Sequence, residues 1–137
     1  MNKVGLAIAL LGAAALAACG SSSSTKTASP LAGNWELDIV TDSEPHLVLQ
    51  VANDNTAKLL SAVGFANKQY ASITFVETKD GINVLVEEVQ QCGNRKVTYT
   101  TVKTGNDYVG SVSGPNADCK AGNFQSPAKA VKLVRQS

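Results

Sequence analysis

Three cysteines, a single histidine and a pair of adjacent glutamates are the side chains of this 137-residue chain from which chemistry could start. A histidine acting as general base needs a nucleophile within reach and a partner that orients its ring. Asp42 and Glu44 stand near His46 in the sequence, but there is no Gly-x-Ser-x-Gly elbow, and His46 reads as an exposed loop residue. Glu87 and Glu88 follow one another on an alternating segment, so their side chains point to opposite faces and cannot share a proton. The glycines at 105, 110, 114 and 122 match no phosphate-cradling pattern and lack a strand–turn–helix setting. These residues supply no catalytic set, no metal site and no cofactor site, and the expectation is a protein that is not an enzyme.

Cys19 is set apart by what precedes it. After Met1-Asn2-Lys3 comes an apolar run from Val4 to Ala18, and Lys3 is the only charge in the first 25 residues. A short basic start, an apolar stretch and small residues at its end make a secretory signal peptide over 1–18. The run is too short and alanine-rich for a good membrane span, which wants ~20 strongly apolar residues. Leu16-Ala17-Ala18-Cys19 resembles the lipobox of bacterial lipoproteins. That resemblance implies cleavage before Cys19, diacylation of its thiol and often a third acyl chain, palmitate or similar, on the new amino group. It places the protein in the bacterial cell envelope, its partner the membrane through the lipid anchor. Gly20 rather than Asp after the cysteine implies delivery to the outer membrane, facing the periplasm, in a host with two membranes. An ordinary cut among Ala15, Ala17 and Ala18 is the competing reading, and it leaves Cys19 with no role.

Removing residues 1–18 leaves 119, enough for one domain with a modest core. The chain has 12 basic and 11 acidic residues, and loss of Lys3 makes them equal. A net charge near zero with no basic run longer than Arg95-Lys96 argues against nucleic acid as a partner.

Cys92 and Cys119 remain, an even pair in an exported chain, and the simplest reading is a disulfide. It encloses 28 residues counting both ends, for which chain entropy gives roughly 3–4 kcal/mol. A zinc site is the competing use, but two distant cysteines and one histidine form a poor ligand pattern.

The rest of the chain must position these groups. Residues 19–30 are rich in serine and cannot build a core; they read as a flexible tether ending at Pro30. From Leu31 to the end, 31–137, the texture is that of a β-domain. Alternation predicts strands over 34–40, with Trp35, Leu37 and Ile39 on one face, and over 46–51, with Leu47, Leu49 and Val51 together. Residues 56–67 suit either a strand ending near Gly64 or a short helix capped by Thr56. Strands follow over 70–78 and from Ile82 onward, joined through Asp80-Gly81. Further strands are predicted over 95–103, at Tyr108, Gly110 and Val112, and over 130–135, with a loop across 113–127. Seven or eight short strands separated by turns make an all-β antiparallel domain, an up-and-down barrel or a sandwich.

Leu31-Ala32-Gly33-Asn34-Trp35 resembles the opening strand of lipocalin-like domains, whose mark is Gly-x-Trp. The resemblance implies that Trp35 plugs one barrel end and that a basic residue near the last strand, here Arg135, packs across it. An Arg over an indole is worth ~0.5–2 kcal/mol.

Two classes of function fit these features. One is a structural or protein-binding envelope lipoprotein with a filled interior, as short eight-stranded barrels usually are. The other is a lipocalin-like carrier of a small apolar ligand, for which Ala57, Ser61 and Gly110 are small residues expected to face inward. A periplasmic hydrolase inhibitor is a third use of such a domain. An apolar cavity of ~300 Å³ or more would favour the carrier.

Overall fold

The structure is a computed structural model that describes residues 27–41, 45–65 and 68–137. The expected signal peptide, Cys19 and most of the tether lie outside the described residues. Nine strands follow in chain order: β1 (Gly33–Ile39), β2 (His46–Val51), β3 (Ala57–Val63), β4 (Tyr70–Glu77), β5 (Gly81–Glu88), β6 (Arg95–Thr104), β7 (Asp107–Pro115), β8 (Asn123–Gln125) and β9 (Val131–Arg135). No helix occurs among the described residues.

One antiparallel sheet runs β3-β2-β1-β9-β7-β6-β5-β4 and curls into a nearly closed barrel of eight strands. Two meanders, β1 to β3 and β4 to β7, are joined by β9, which pairs with β1 on one side and with β7 on the other. The first and last strands of the order touch at one bridge, Thr56 opposite Thr74, where the Phe75 N–H donates to the Asn55 carbonyl at 2.8 Å. Curling leaves little free edge, which is the usual hazard of a small sheet.

The inner face follows from period-2 alternation. Trp35 and Leu37, Leu47, Leu49 and Val51, Ile73 and Phe75, Ile82, Val84 and Val86, Val97 and Tyr99, and Val131 and Leu133 are all buried. Residues 57–63 form a strand and not a helix, but their alternation is broken. Leu49 stands opposite Leu59 and Val48 opposite Ser61, so Leu60 is the extra residue of a β-bulge. The bulge puts Ser61 on the outer side with Val48, and Ser61 is exposed rather than inward.

Gly110 does not leave room either. A Cβ on it would lie 1.7 Å from the Thr100 carbonyl oxygen, and one on Gly81 would lie 2.0 Å from that of Thr101. These glycines sit on the strands either side of β6, paired with Thr101 and Val102. They let the β6 backbone press close at this point, a frequent use of glycine within a strand. The region 113–127, expected to be loop, holds the end of β7 and all of β8. Between the stretches of β7 that pair with β9 and with β8, Ser126 spans the gap. Its hydroxyl accepts from the Val112 N–H at 2.8 Å, and its own N–H donates to the Val112 carbonyl at 2.9 Å.

One end of the barrel is filled around Trp35, which is 2% exposed. Its Nε1–H donates to the Leu31 carbonyl at 2.7 Å, which satisfies the one polar group of the ring. Phe75 and Tyr108 pack at centroid distances of 5.7 and 5.8 Å. Arg135, the register partner of Trp35 on β9, carries its guanidinium carbon 5.3 Å from the indole centroid. The same guanidinium donates to the carbonyls of Pro30 and Ala32 and so ties the entering chain to the final strand.

Candidate functional site

The opposite end of the barrel is polar inside. The inner row Ile82, Val84, Val86 of β5 continues to Glu88, and the inner row of β6 begins at Arg95 before Val97 and Tyr99. Glu88 and Arg95 are register partners at the end of this hairpin. Alternation therefore drives a carboxylate into the barrel, where it is 2% exposed. Burying an ion is costly unless it is paired and hydrogen-bonded. Here Arg95 Nη2 and Nε donate to Glu88 Oε2 at 2.6 and 2.9 Å, and Lys68 Nζ lies 3.2 Å from Oε1. Arg95 Nη1 also donates to the Pro115 carbonyl at 3.0 Å.

Aromatic faces support both cations. The Arg95 guanidinium lies 5.4 Å from the Phe124 ring centroid and Lys68 Nζ 5.2 Å from that of Phe65. Two tyrosines complete the polar cluster. Burial, with the Glu88 carboxylate adding to it, pushes the Tyr70 hydroxyl up to about 12, against a smaller opposing pull from Arg95. Burial likewise raises the Tyr99 hydroxyl well above its ordinary value, with Glu88 and then Tyr70 adding to it. The Tyr70 hydroxyl oxygen is buried and has no hydrogen-bond partner among the described residues.

Above this floor is a cleft of about 350 Å³. Ile39, Phe65, Val97, Val112, Ala117 and Phe124 form apolar walls, and Lys68, Glu88, Arg95, Tyr99 and Asn116 are the polar lining. Its rim is held by the disulfide between Cys92 and Cys119, whose Cα atoms are 6.0 Å apart, within the ordinary range for such a bond. This joins the β5–β6 turn to the 116–122 loop. Asp118 N–H donates to Gln90 Oε1 at 2.8 Å and Asn116 Nδ2 to the Ala121 carbonyl at 2.8 Å. Asp118 and Cys119 both have left-handed backbones, φ 55° and 60°, which non-glycine residues seldom adopt in succession.

The residues singled out in the sequence fall in three places. Trp35 and Arg135 are at the filled end. Cys92 and Cys119 form the expected disulfide at the rim of the polar end. Cys19 lies outside the described residues. His46 is not a loop residue: it opens β2, half-buried, opposite Asp38 on β1. Glu36, Asp38 and His46 bring potential ligand atoms within 4.8 Å of one another beside a cleft of about 330 Å³. Burial raises the Asp38 pKa, as do the Glu36 charge and a hydrogen bond with Glu36, while His46 and Lys132 pull the other way.

Glu88, Arg95 and Lys68 are the residues that sequence reading passed over. The signal for the first two was present. Glu88 continues an apolar row by period 2, and Arg95 begins the next one, on either side of a turn. Lys68 gives no such sign. No family model matches the chain, and no curated protein and no solved structure matches it.

Proposed function

We propose that this protein is a lipid-anchored barrel of the bacterial envelope that holds a small amphiphilic ligand at the end opposite Trp35. The observation that carries this reading is the cleft itself: about 350 Å³ of space with apolar walls above a buried Glu88 flanked by Arg95 and Lys68. Ligand sites are typically concave and mostly apolar, with a few fixed polar groups. A barrel serving only as a spacer has no need of a buried ion pair, which adds little to stability and is often replaceable by apolar residues without loss. The cleft also turns the balance between the two functions drawn from the sequence towards the carrier and away from a filled, purely protein-binding module.

The lipocalin-like reading of Gly33-Asn34-Trp35 agrees with this arrangement. A barrel closed at the tryptophan end, with an arginine over the indole, leaves the far end for ligand. The lipobox reading of Leu16-Ala17-Ala18-Cys19 supplies the address. The entering chain meets the barrel at Pro30 and Ala32, beside Arg135 at the filled end. The tether therefore joins at the end away from the cleft, which leaves the cleft free to face the periplasm.

Native mass spectrometry of the full chain tests the reading. A one-to-one adduct with medium-chain amphiphiles is expected, and Ala117→Trp, which fills the cleft from its wall, should abolish it. An adduct that survives this substitution, or no adduct with the unaltered chain, would remove the proposal.

A further inference from the structure

We infer that the ligand carries an anionic head, a carboxylate or a phosphate monoester, on a short apolar tail; this rests on the ligand site proposed above. The charged residues lining the cleft are Lys68, Glu88 and Arg95. Among the described residues of this floor, one negative charge is met by two positive ones, an excess of one positive charge. In a partly dehydrated site that excess favours an anion more strongly than it would in water.

Hydrogen-bonding capacity points the same way. Both carboxylate oxygens of Glu88 are engaged, Oε1 by Lys68 and Oε2 twice by Arg95. A cationic head would have to compete with partners already in place. Lys68 has further donors: an ammonium has three, and among the described residues its bond to Glu88 uses one. Its side chain is 36% exposed, so it can be reached from the cleft and from solvent, and it lies over Phe65. Phe65, Phe124, Ile39 and Val112 then receive the apolar tail.

The test compares four probes with one tail length: octanoate, octyl phosphate, octanol and octylammonium. Equilibrium dialysis is run against the full chain in phospholipid nanodiscs, with empty nanodiscs as the blank. At least one of the two anions should bind about tenfold or more tighter than octanol, the effect of a hydrogen bond to a charged group, and octylammonium should be weakest. The order of octanoate and octyl phosphate tells which anion the site prefers. Lys68→Met should bring octanoate down to octanol. Glu88→Gln, which frees Lys68 and raises the positive excess, should strengthen octanoate. Equal binding of octanol and both anions, preference for octylammonium, or a gap that survives Lys68→Met would overturn the inference and leave the ligand site standing. Binding of no probe above the blank would overturn both.

Discussion

Glu88 and Arg95 face one another on the inner side of the β5–β6 hairpin, and two guanidinium N–H groups converge on the single oxygen Oε2 at 2.6 and 2.9 Å. The Arg95 side chain is 10% exposed and that of Glu88 2%. Removing Glu88 leaves Arg95 buried without its carboxylate, and removing Arg95 leaves the buried Glu88 with the half-exposed Lys68 as its charge partner. Glu88→Ala or Arg95→Ala should therefore cost about 3–5 kcal/mol in denaturant unfolding. Joint replacement by Leu and Met should be near neutral or stabilising. A double variant as unstable as the singles would mean that the pair is held for stability alone.

Loss of the Cys92–Cys119 disulfide acts on the same end. A Cys92→Ser/Cys119→Ser variant should lose about 2–5 kcal/mol of stability. Hydrogen exchange should rise first in the 116–122 loop, which the bond ties to the β5–β6 turn, and ligand affinity should fall with it. Unchanged exchange in that loop would show that its hydrogen bonds suffice to hold the rim.

Tyr70 gives an alkaline signature. Its hydroxyl titrates near 12 in the folded protein against 10 in the unfolded chain. Between these values the unfolded chain has released a proton that the folded one keeps, so stability falls as pH rises through that window. Tyr70→Phe should make this part of the profile shallower, the raised Tyr99 hydroxyl keeping its own share of the slope. At neutral pH it should cost nothing or stabilise slightly, because the hydroxyl it removes is buried without a partner among the described residues. Denaturant midpoints at pH 7 and across pH 10–12 measure both effects.

If the lipobox reading holds, Cys19→Ala should release the protein from membranes or stall its processing, since each buried CH₂ of two or three acyl chains would supply ~0.8 kcal/mol. Intact mass of the membrane-extracted chain reads the outcome directly. An unmodified N-terminus at a residue other than Cys19 would refute the lipobox reading.

The antiparallel β-domain was legible because it rests on local alternation: most strands lie within a residue or two of where the pattern puts them, whereas closure into a barrel rather than a sandwich depends on pairings between distant strands. What escaped notice has physical causes. The bulge at Leu60 moves Ser61 outward, and a single extra residue leaves no mark in composition. Gly110 looked like spare volume, but a Cβ there would meet the backbone of Thr100 across the ladder, a contact that pattern reading does not see. His46 looked isolated because its neighbours Glu36 and Asp38 arrive from another strand. The cleft at the polar end escaped for the same reason. Glu88 and Arg95 are seven residues apart around a turn, Lys68 arrives just before β4, the strand paired with β5, and Phe124 lies on β8, which pairs with β7 beside β6.

Hydrogen–deuterium exchange of the full chain with and without octanoate tests the central claim most directly. Ligand at the polar end should slow exchange in peptides covering 95–99 and 112–124 and leave those covering 33–37 and 131–135 unchanged. Protection confined to the Trp35 end, or none anywhere at saturating octanoate, would contradict it.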